Sequence, residues 1–316
     1  MTTPDPARPI SPRDESPTPT RTLTPTPGPA PLRVAVLGRG SIGSVLIDRL
    51  AAGAVEGAVL TAVIGRPGQT AGSTGPAERD ATSSGAPTRP VTPTPTPAAV
   101  PLVEPADGIA AADVVVECAS VAAARELGPD VIAAGRTLLL ASIGALNDTD
   151  AARRLTAGPG RLVLTTGAIG GLDVLAAHRQ AGGLREVTIV STKKATSLVQ
   201  PWMDADRRAA LERATAPVTA FEGTAAEVID LFPRSANVAV AVGLAVGDPH
   251  AVTVRMVADP DATRTTHRIS AVSDAGAFCC TAENDPSPDN PASSALVPYA
   301  MLAALASLAR PSGRFA

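Results

Sequence analysis

Runs of apolar residues in the first half of the chain alternate between strand-like and helix-like spacing. Short β-branched runs predict strands at 33–37, 58–64, 113–117, 137–141 and 161–164. Apolar residues at helical spacing predict helices at 44–52, 121–134 and 149–157. Strands that alternate with helices in this way form a parallel sheet covered on both faces. We therefore predict an α/β fold whose first domain, 33–166, is a doubly wound Rossmann sheet.

The pattern changes after residue 166. Strands that are apolar on one face are predicted at 186–191, 218–221, 252–256 and 267–272, with helices at 170–181, 205–214 and 224–232. We expect a second, α+β domain over 167–287 that carries the catalytic cleft and a dimer interface. The apolar helix predicted at 293–308, within 288–316, should return to the first domain.

Two segments rich in proline and threonine interrupt these patterns. Ten of the 31 prolines fall in 1–31 and nine in 67–105, where large apolar residues are too few to offset the entropy of ordering. We expect a disordered tail over 1–32 and a flexible insertion over 67–105. Both are either solvated spacers or polyproline ligands for a partner.

Charge and cysteine content exclude several classes of protein. A formal net charge of −3 and a pI near 5.7 argue against a nucleic-acid partner. No apolar stretch long enough to span a bilayer and no secretory signal is evident, so we expect no membrane partner and a cytoplasmic location. The three cysteines and three histidines follow no metal-ligand spacing, so no metal site is predicted.

The segment after the first predicted strand has the order Gly-x-Gly-x-x-Gly and opens a helix. The glycines allow a tight turn, close approach of backbone to a pyrophosphate, and packing of helix on strand. We assign dinucleotide binding to Gly38, Gly40, Ser41, Ile42 and Gly43. The alternative is a glycine-rich turn without a ligand.

The end of the second strand usually carries a carboxylate for the ribose of NAD, but here Arg66 stands there. The cofactor is therefore NAD or NADP, with NADP slightly favoured, unless Arg66 merely begins the insertion. Cys118, Ala119 and Ser120 follow a later strand and should also contact the cofactor. Cys118 could be a nucleophile, but a buried inert thiol is the better interpretation.

Five motifs in the second domain recur in order in one known family. They are Gly167–Asp173 (GAIGGLD), Phe221–Ala225 (FEGTA), Phe232-Pro233 with Ala236–Ala239 (ANVA), Ala258–Pro260 leading to His267, and Asn290-Pro291 with Ser293-Ser294. Together with the Rossmann glycines, they resemble the L-aspartate dehydrogenase family over about residues 33–308, without the insertion.

The resemblance implies an NAD(P)-dependent enzyme, a homodimer, that oxidises L-aspartate to iminoaspartate. The product would be released as oxaloacetate and ammonia or feed NAD biosynthesis, and the reaction could also run in reverse. By motif match the catalytic histidine is His267, and Ala168 and Asn237 bind the nicotinamide. One histidine that titrates near neutrality can serve both amine deprotonation and water activation.

A dicarboxylate substrate needs a cationic ligand, for which Lys193 and Lys194 are candidates; both could equally be solvated surface lysines. Thr265, Ser235 and Cys279 depart from the family's pattern. Two alternatives therefore stay open: a related Rossmann dehydrogenase for another amino or oxo acid, and a catalytically decayed NAD(P)-binding regulatory protein.

Overall fold

The computed structural model describes residues 30–65, 100–233 and 236–310. Residues 1–29 of the predicted tail, most of the insertion and Arg66 lie outside these ranges, and Leu32 at the end of the predicted tail already belongs to the first strand. Within them no helix is both long enough and apolar enough to cross a membrane.

The first sheet has six parallel strands in the spatial order β3-β2-β1-β4-β5-β6. They are β1 Leu32–Leu37, β2 Ala58–Ile64, β3 Leu102–Val103, β4 Val114–Glu117, β5 Thr137–Leu140 and β6 Arg161–Leu164. The connecting helices are α1 Ser41–Ala51, α2 Pro105–Ala110, α3 Val121–Ala133 and α4 Thr149–Thr156. This is the predicted doubly wound Rossmann arrangement, and the prediction is confirmed.

Alternate residues of each strand belong to separate cores on the two faces of this sheet. On one face Val34 and Val36 pack with α1 and with the last helix, α9, at Val297–Ala309. On the other face Ala35 and Leu37 pack with α2, α3 and α4. Because neighbouring side chains of a strand point to opposite faces, a continuous apolar run builds both cores.

The first sheet continues with β3, which lies inside the predicted insertion 67–105, so the insertion ends before residue 102 and not at 105. Leu102 and Val103 pair with Val63 and Ile64 of β2, and α2 begins at Pro105. Two apolar residues at the edge of a buried sheet are enough to extend it when a proline then starts a helix. The last helix likewise begins at Val297 and not at 293, because Asn290–Ser294 forms a strand.

The second sheet has five strands in the order β11-β10-β7-β9-β8. They are β7 Arg185–Lys194, β8 Val218–Thr224, β9 Thr253–Asp259, β10 Thr265–Ser273 and β11 Gly276–Asn284. Strands β7 and β9 run parallel and the other pairs antiparallel. Four helices accompany it: α5 Leu172–Ala181, α6 Ala205–Glu212, α7 Ala225–Leu231 and α8 Asn237–Val246. This confirms the second α+β domain.

Two elements of this domain were not predicted. Helix α8 has the sequence NVAVAVGLAV, in which apolar residues surround the whole helix, so no amphipathic period is visible. Strand β11 lies at the sheet edge, where every second residue is exposed, so it contains few large apolar residues. The hairpin of β12 Pro286–Ser287 and β13 Asn290–Ser294 follows it.

Candidate active site

Loops at the carboxyl ends of β1, β4 and β5 face the second sheet across a cavity of about 710 Å³. This is the edge at which open parallel sheets bind ligands. The cavity brings together most of the predicted site residues, which come from both parts of the chain: Gly40, Ser41, Ile42, Cys118, Ala119, Ser120, Ala168, Lys193, Asn237 and His267.

The glycine loop between β1 and α1 has the close packing that a dinucleotide site requires. Gly38 has φ +110°, and a Cβ at Gly43 would lie 2.2 Å from the Gly38 carbonyl oxygen. A Cβ at Gly40 would meet nothing within 4 Å, so the backbone there is open to a ligand. Helix α1 begins at Ser41, and its first N–H groups are a suitable anion site. These residues fit a dinucleotide pyrophosphate.

Glu117, at the end of β4, organises the neighbouring loops. Its fully buried carboxylate accepts hydrogen bonds from the Ala119 and Ser120 N–H groups, at 2.8 and 3.0 Å, and from the Ser142 N–H and hydroxyl, both at 3.0 Å. Burial raises the pKa of Glu117, and the hydrogen bonds oppose that rise. Glu117 was not predicted as a site residue, because a carboxylate inside an apolar strand has no local signature in the sequence.

Cys118 lies under the loop as a buried thiol. Its Sγ donates to the Leu37 carbonyl at 3.3 Å, and burial, with the nearby Glu117, raises the pKa of the thiol. A thiol that is held protonated is a poor nucleophile. The structure therefore favours the inert interpretation, with Cys118 as part of the cavity wall.

His267 lies on β10, opposite Ser191 of β7. The His267 side chain is 3% exposed, and its Nδ1 lies 2.8 Å from the Ser191 hydroxyl oxygen. Burial lowers the pKa of His267 to about 3, and the positive charge of Lys193 lowers it further in the same direction. The imidazole is therefore neutral at pH 7.

The two candidate lysines have opposite surroundings, because successive side chains of a strand point to opposite faces. Lys193 lines the cavity and is 5% exposed, and burial lowers its pKa to about 8. Lys194 is exposed and does not line the cavity. The structure thus brings only Lys193 of this pair to His267.

Ala168 and Asn237 are fixed by hydrogen bonds at the same cavity. The Ala168 carbonyl accepts from the Asn284 side-chain amide at 2.7 Å. The Asn237 side-chain oxygen accepts from the Gly144 N–H at 2.9 Å. Asn237 begins α8, so the helix that sequence analysis missed is the element that positions it.

Arg125 of α3 also lines the cavity and was not predicted. One of its terminal nitrogens lies 3.5 Å from the Gly144 carbonyl, and its Nε is buried without a hydrogen-bond partner among the described residues. Its charge also lowers the pKa of Asp148, after the larger effect of the hydrogen bond from the Ala151 N–H. An arginine one turn into a helix is indistinguishable in sequence from a surface residue.

The chain matches known protein families over both of its domains. Residues 38–158 match the family model described as homoserine dehydrogenase, NAD binding domain, and residues 173–308 match that described as aspartate dehydrogenase, C-terminal. The chain is similar to L-aspartate dehydrogenase 3 of Bordetella bronchiseptica, with 35% identity over 89% of this chain and 96% of the relative. The L-aspartate dehydrogenase of Methanopyrus kandleri is 39% identical over 61% of this chain and 70% of the relative.

The fold has also been seen in a solved structure. Aspartate dehydrogenase from Thermotoga maritima superposes with a TM-score of 0.61 at 24% identity, over 90% of this chain and 99% of that one. Fold and site together define a two-domain oxidoreductase of the Rossmann type. Within that class, the chain belongs to the L-aspartate dehydrogenase family.

Proposed function

We propose that this protein oxidises L-aspartate to iminoaspartate with a nicotinamide dinucleotide, and that the imine is hydrolysed to oxaloacetate and ammonia. The observation that carries the proposal is the single cavity that holds the glycine loop at one end and His267 with Lys193 at the other. Hydride transfer requires cofactor, substrate carbon and acid–base group to lie close together, and this cavity is lined by candidates for all three contacts.

Residues from both domains would hold the cofactor. Gly40 and Ser41 would receive the pyrophosphate at the start of α1, while Ala168 and Asn237 would bind the nicotinamide end. When bound, the nicotinamide supplies the hydride acceptor for the α-carbon of aspartate. Glu117 keeps the Ala119–Ser120 loop in place for this by accepting two of its N–H groups.

His267 would move the protons. It takes a proton from the aspartate ammonium group, so that the nitrogen lone pair can form the C=N bond as hydride leaves the α-carbon. After it has released that proton to solvent, the neutral imidazole takes a proton from the water that attacks the imine and returns it to the nitrogen, which leaves as ammonia. The buried imidazole is a weak base while the cavity holds no anion, but two substrate carboxylates nearby would raise its pKa. Substrate binding therefore prepares the base.

Two cations of the cavity would hold the two carboxylates. Lys193 lies beside His267 and supplies one positive charge. Arg125 is the one arginine among the described lining residues and would supply the second positive charge. A four-carbon dicarboxylate matches two cations, whereas a monocarboxylate would leave one of them without a partner.

The test is turnover of the purified protein with L-aspartate and NAD or NADP, followed by nicotinamide absorbance. His267→Ala should lose at least about 100-fold in rate, while His250→Ala, an exposed histidine, should match the wild type. Faster turnover with another amino or oxo acid would favour the related dehydrogenase. Cofactor binding without turnover of any substrate, in either direction, would favour a regulatory protein.

We propose a preference for NADP over NAD. No carboxylate directly follows β2 in the sequence, and Arg66, two positions after the strand, would receive a 2′-phosphate. Arg66→Ser should therefore weaken NADP binding about tenfold and leave NAD binding within about twofold. Equal effects on both cofactors would remove Arg66 from the 2′-phosphate site.

We also propose a homodimer through the outer face of the five-stranded sheet. The central strand β7 presents Thr188, Val190 and Thr192 on that face, none of them fully buried. Val190→Asp should give a monomer in light scattering after gel filtration. Val174→Asp, on the exposed side of α5, is the control and should behave as the wild type.

A further inference from the structure

We propose that Ser191 is a positioning residue for His267. Its hydroxyl holds the imidazole at Nδ1 and so directs proton exchange to Nε2. The inference rests on the proposed function, in which His267 carries the protons. Ser191 is not among the residues that line the cavity, so its role would be exerted through the histidine alone.

The geometry of the two strands fixes this pair. Ser191 and His267 are register partners on β7 and β10, and both strands are paired on each side within the sheet. Ser191 is 1% exposed and His267 3% exposed, with 2.8 Å between the hydroxyl oxygen and Nδ1. Water does not compete for the bond, so the serine restrains the ring more than an exposed partner would.

A hydroxyl suits this position because its oxygen can accept a hydrogen bond from Nδ1–H. With Nδ1 as the donor, Nε2 of the neutral ring is free to take a proton. The imidazolium that forms gives this proton back from Nε2 while Nδ1–H still donates to Ser191. A carboxylate in the same place would add a buried charge. Serine therefore supports proton exchange at Nε2 in both directions without such a charge.

The chain offers a matched control. Ser273 of β10 lies 2.7 Å from Nδ1 of His178 and is 4% exposed. This is also a serine hydroxyl at Nδ1 of a histidine, here between β10 and α5, and neither residue lines the cavity. The Ser273 hydroxyl in addition accepts from the Ala275 N–H at 3.1 Å. Ser191→Ala and Ser273→Ala thus each remove a hydroxyl from Nδ1 of a histidine, and only the first should affect catalysis.

Kinetics supply the first measurement. We expect Ser191→Ala to lower kcat at least tenfold while KM for aspartate and Kd for the cofactor stay within about twofold. Ser273→Ala should leave all three within about twofold. A retained kcat in Ser191→Ala, or equal losses in both variants, would overturn the proposal.

Histidine NMR supplies a readout independent of turnover. The sequence has three histidines, so selective ¹⁵N labelling gives three rings, which substitution of His178 and His250 assigns. Ser191→Ala should alter the tautomer pattern of His267 alone, and Ser273→Ala that of His178 alone. An unchanged His267 ring would refute positioning even if kcat fell.

Failure of the proposed function and failure of the positioning role give different results. If the wild type does not turn over aspartate, the proposed function fails, and the NMR result alone decides whether Ser191 sets the state of His267. If Ser191→Ala does not fold, Ser191→Cys replaces it, since the thiol keeps the shape and weakens the hydrogen bond. Its kcat should then fall severalfold, and a kcat equal to the wild type would overturn the proposal.

Discussion

Acid should destabilise this fold through His267. In the folded protein the pKa of His267 is about 3, against an ordinary value of 6.5. The unfolded chain therefore binds more protons between these two values, and the free energy of unfolding falls as pH falls through that window. Above pH 6.5 the contribution is fully present.

The size of the effect follows from the two pKa values. Between pH 7 and pH 4.5, proton linkage at this single site removes about 2 to 3 kcal/mol of unfolding free energy. That is a large part of the roughly 5–15 kcal/mol by which domains are stable. Other titrating groups add their own pH dependence, so the wild type alone does not isolate the histidine.

His267→Asn isolates it, because asparagine does not titrate and the other groups are unchanged. The assay is urea unfolding at both pH values, followed by fluorescence of Trp202. Trp202 is the single tryptophan of the sequence. Its ring packs edge-on against Phe232, which belongs to the core around the second sheet. The stability difference between the two proteins should change by about 2 to 3 kcal/mol between the two pH values. A difference that is the same at both would refute the burial argument.

Three further substitutions, two of them paired with a comparison variant, test the site. Glu117→Gln should lower the free energy of unfolding by about 2 kcal/mol and weaken cofactor binding, because an amide cannot accept all four hydrogen bonds. Ser142→Ala removes one of these bonds and should lower it by about half as much. Urea unfolding and nicotinamide fluorescence titration measure the two effects. Lys193→Met should raise KM for aspartate about 100-fold in steady-state rates, whereas Lys194→Met should change it less than twofold. Gly43→Ala should raise Kd for the cofactor at least about tenfold, because its Cβ would lie 2.2 Å from backbone that cannot move aside; a near-normal Kd would contradict that packing.

Local pattern predicted the regular elements well because each depends on near neighbours in the chain. The β-branched runs of β1 and β4 and the glycine loop after β1 have signatures within about ten residues. Helix α8 and strand β11 were not predicted, because their apolar residues have no helical or strand period. Their place depends on what packs around them.

The sequence by itself determined the Rossmann class and the nucleotide loop and, through family motifs, predicted His267 as the catalytic histidine. Only the tertiary structure decided that Ser191 faces His267 across two strands, that Lys193 points inward while Lys194 points outward, and that Glu117 and Arg125 face the cofactor loops and the cavity. Hydrogen bonds at the site join residues up to 116 positions apart, as between Asn284 and Ala168. Burial and strand register create them, and neither is visible in a local run of residues.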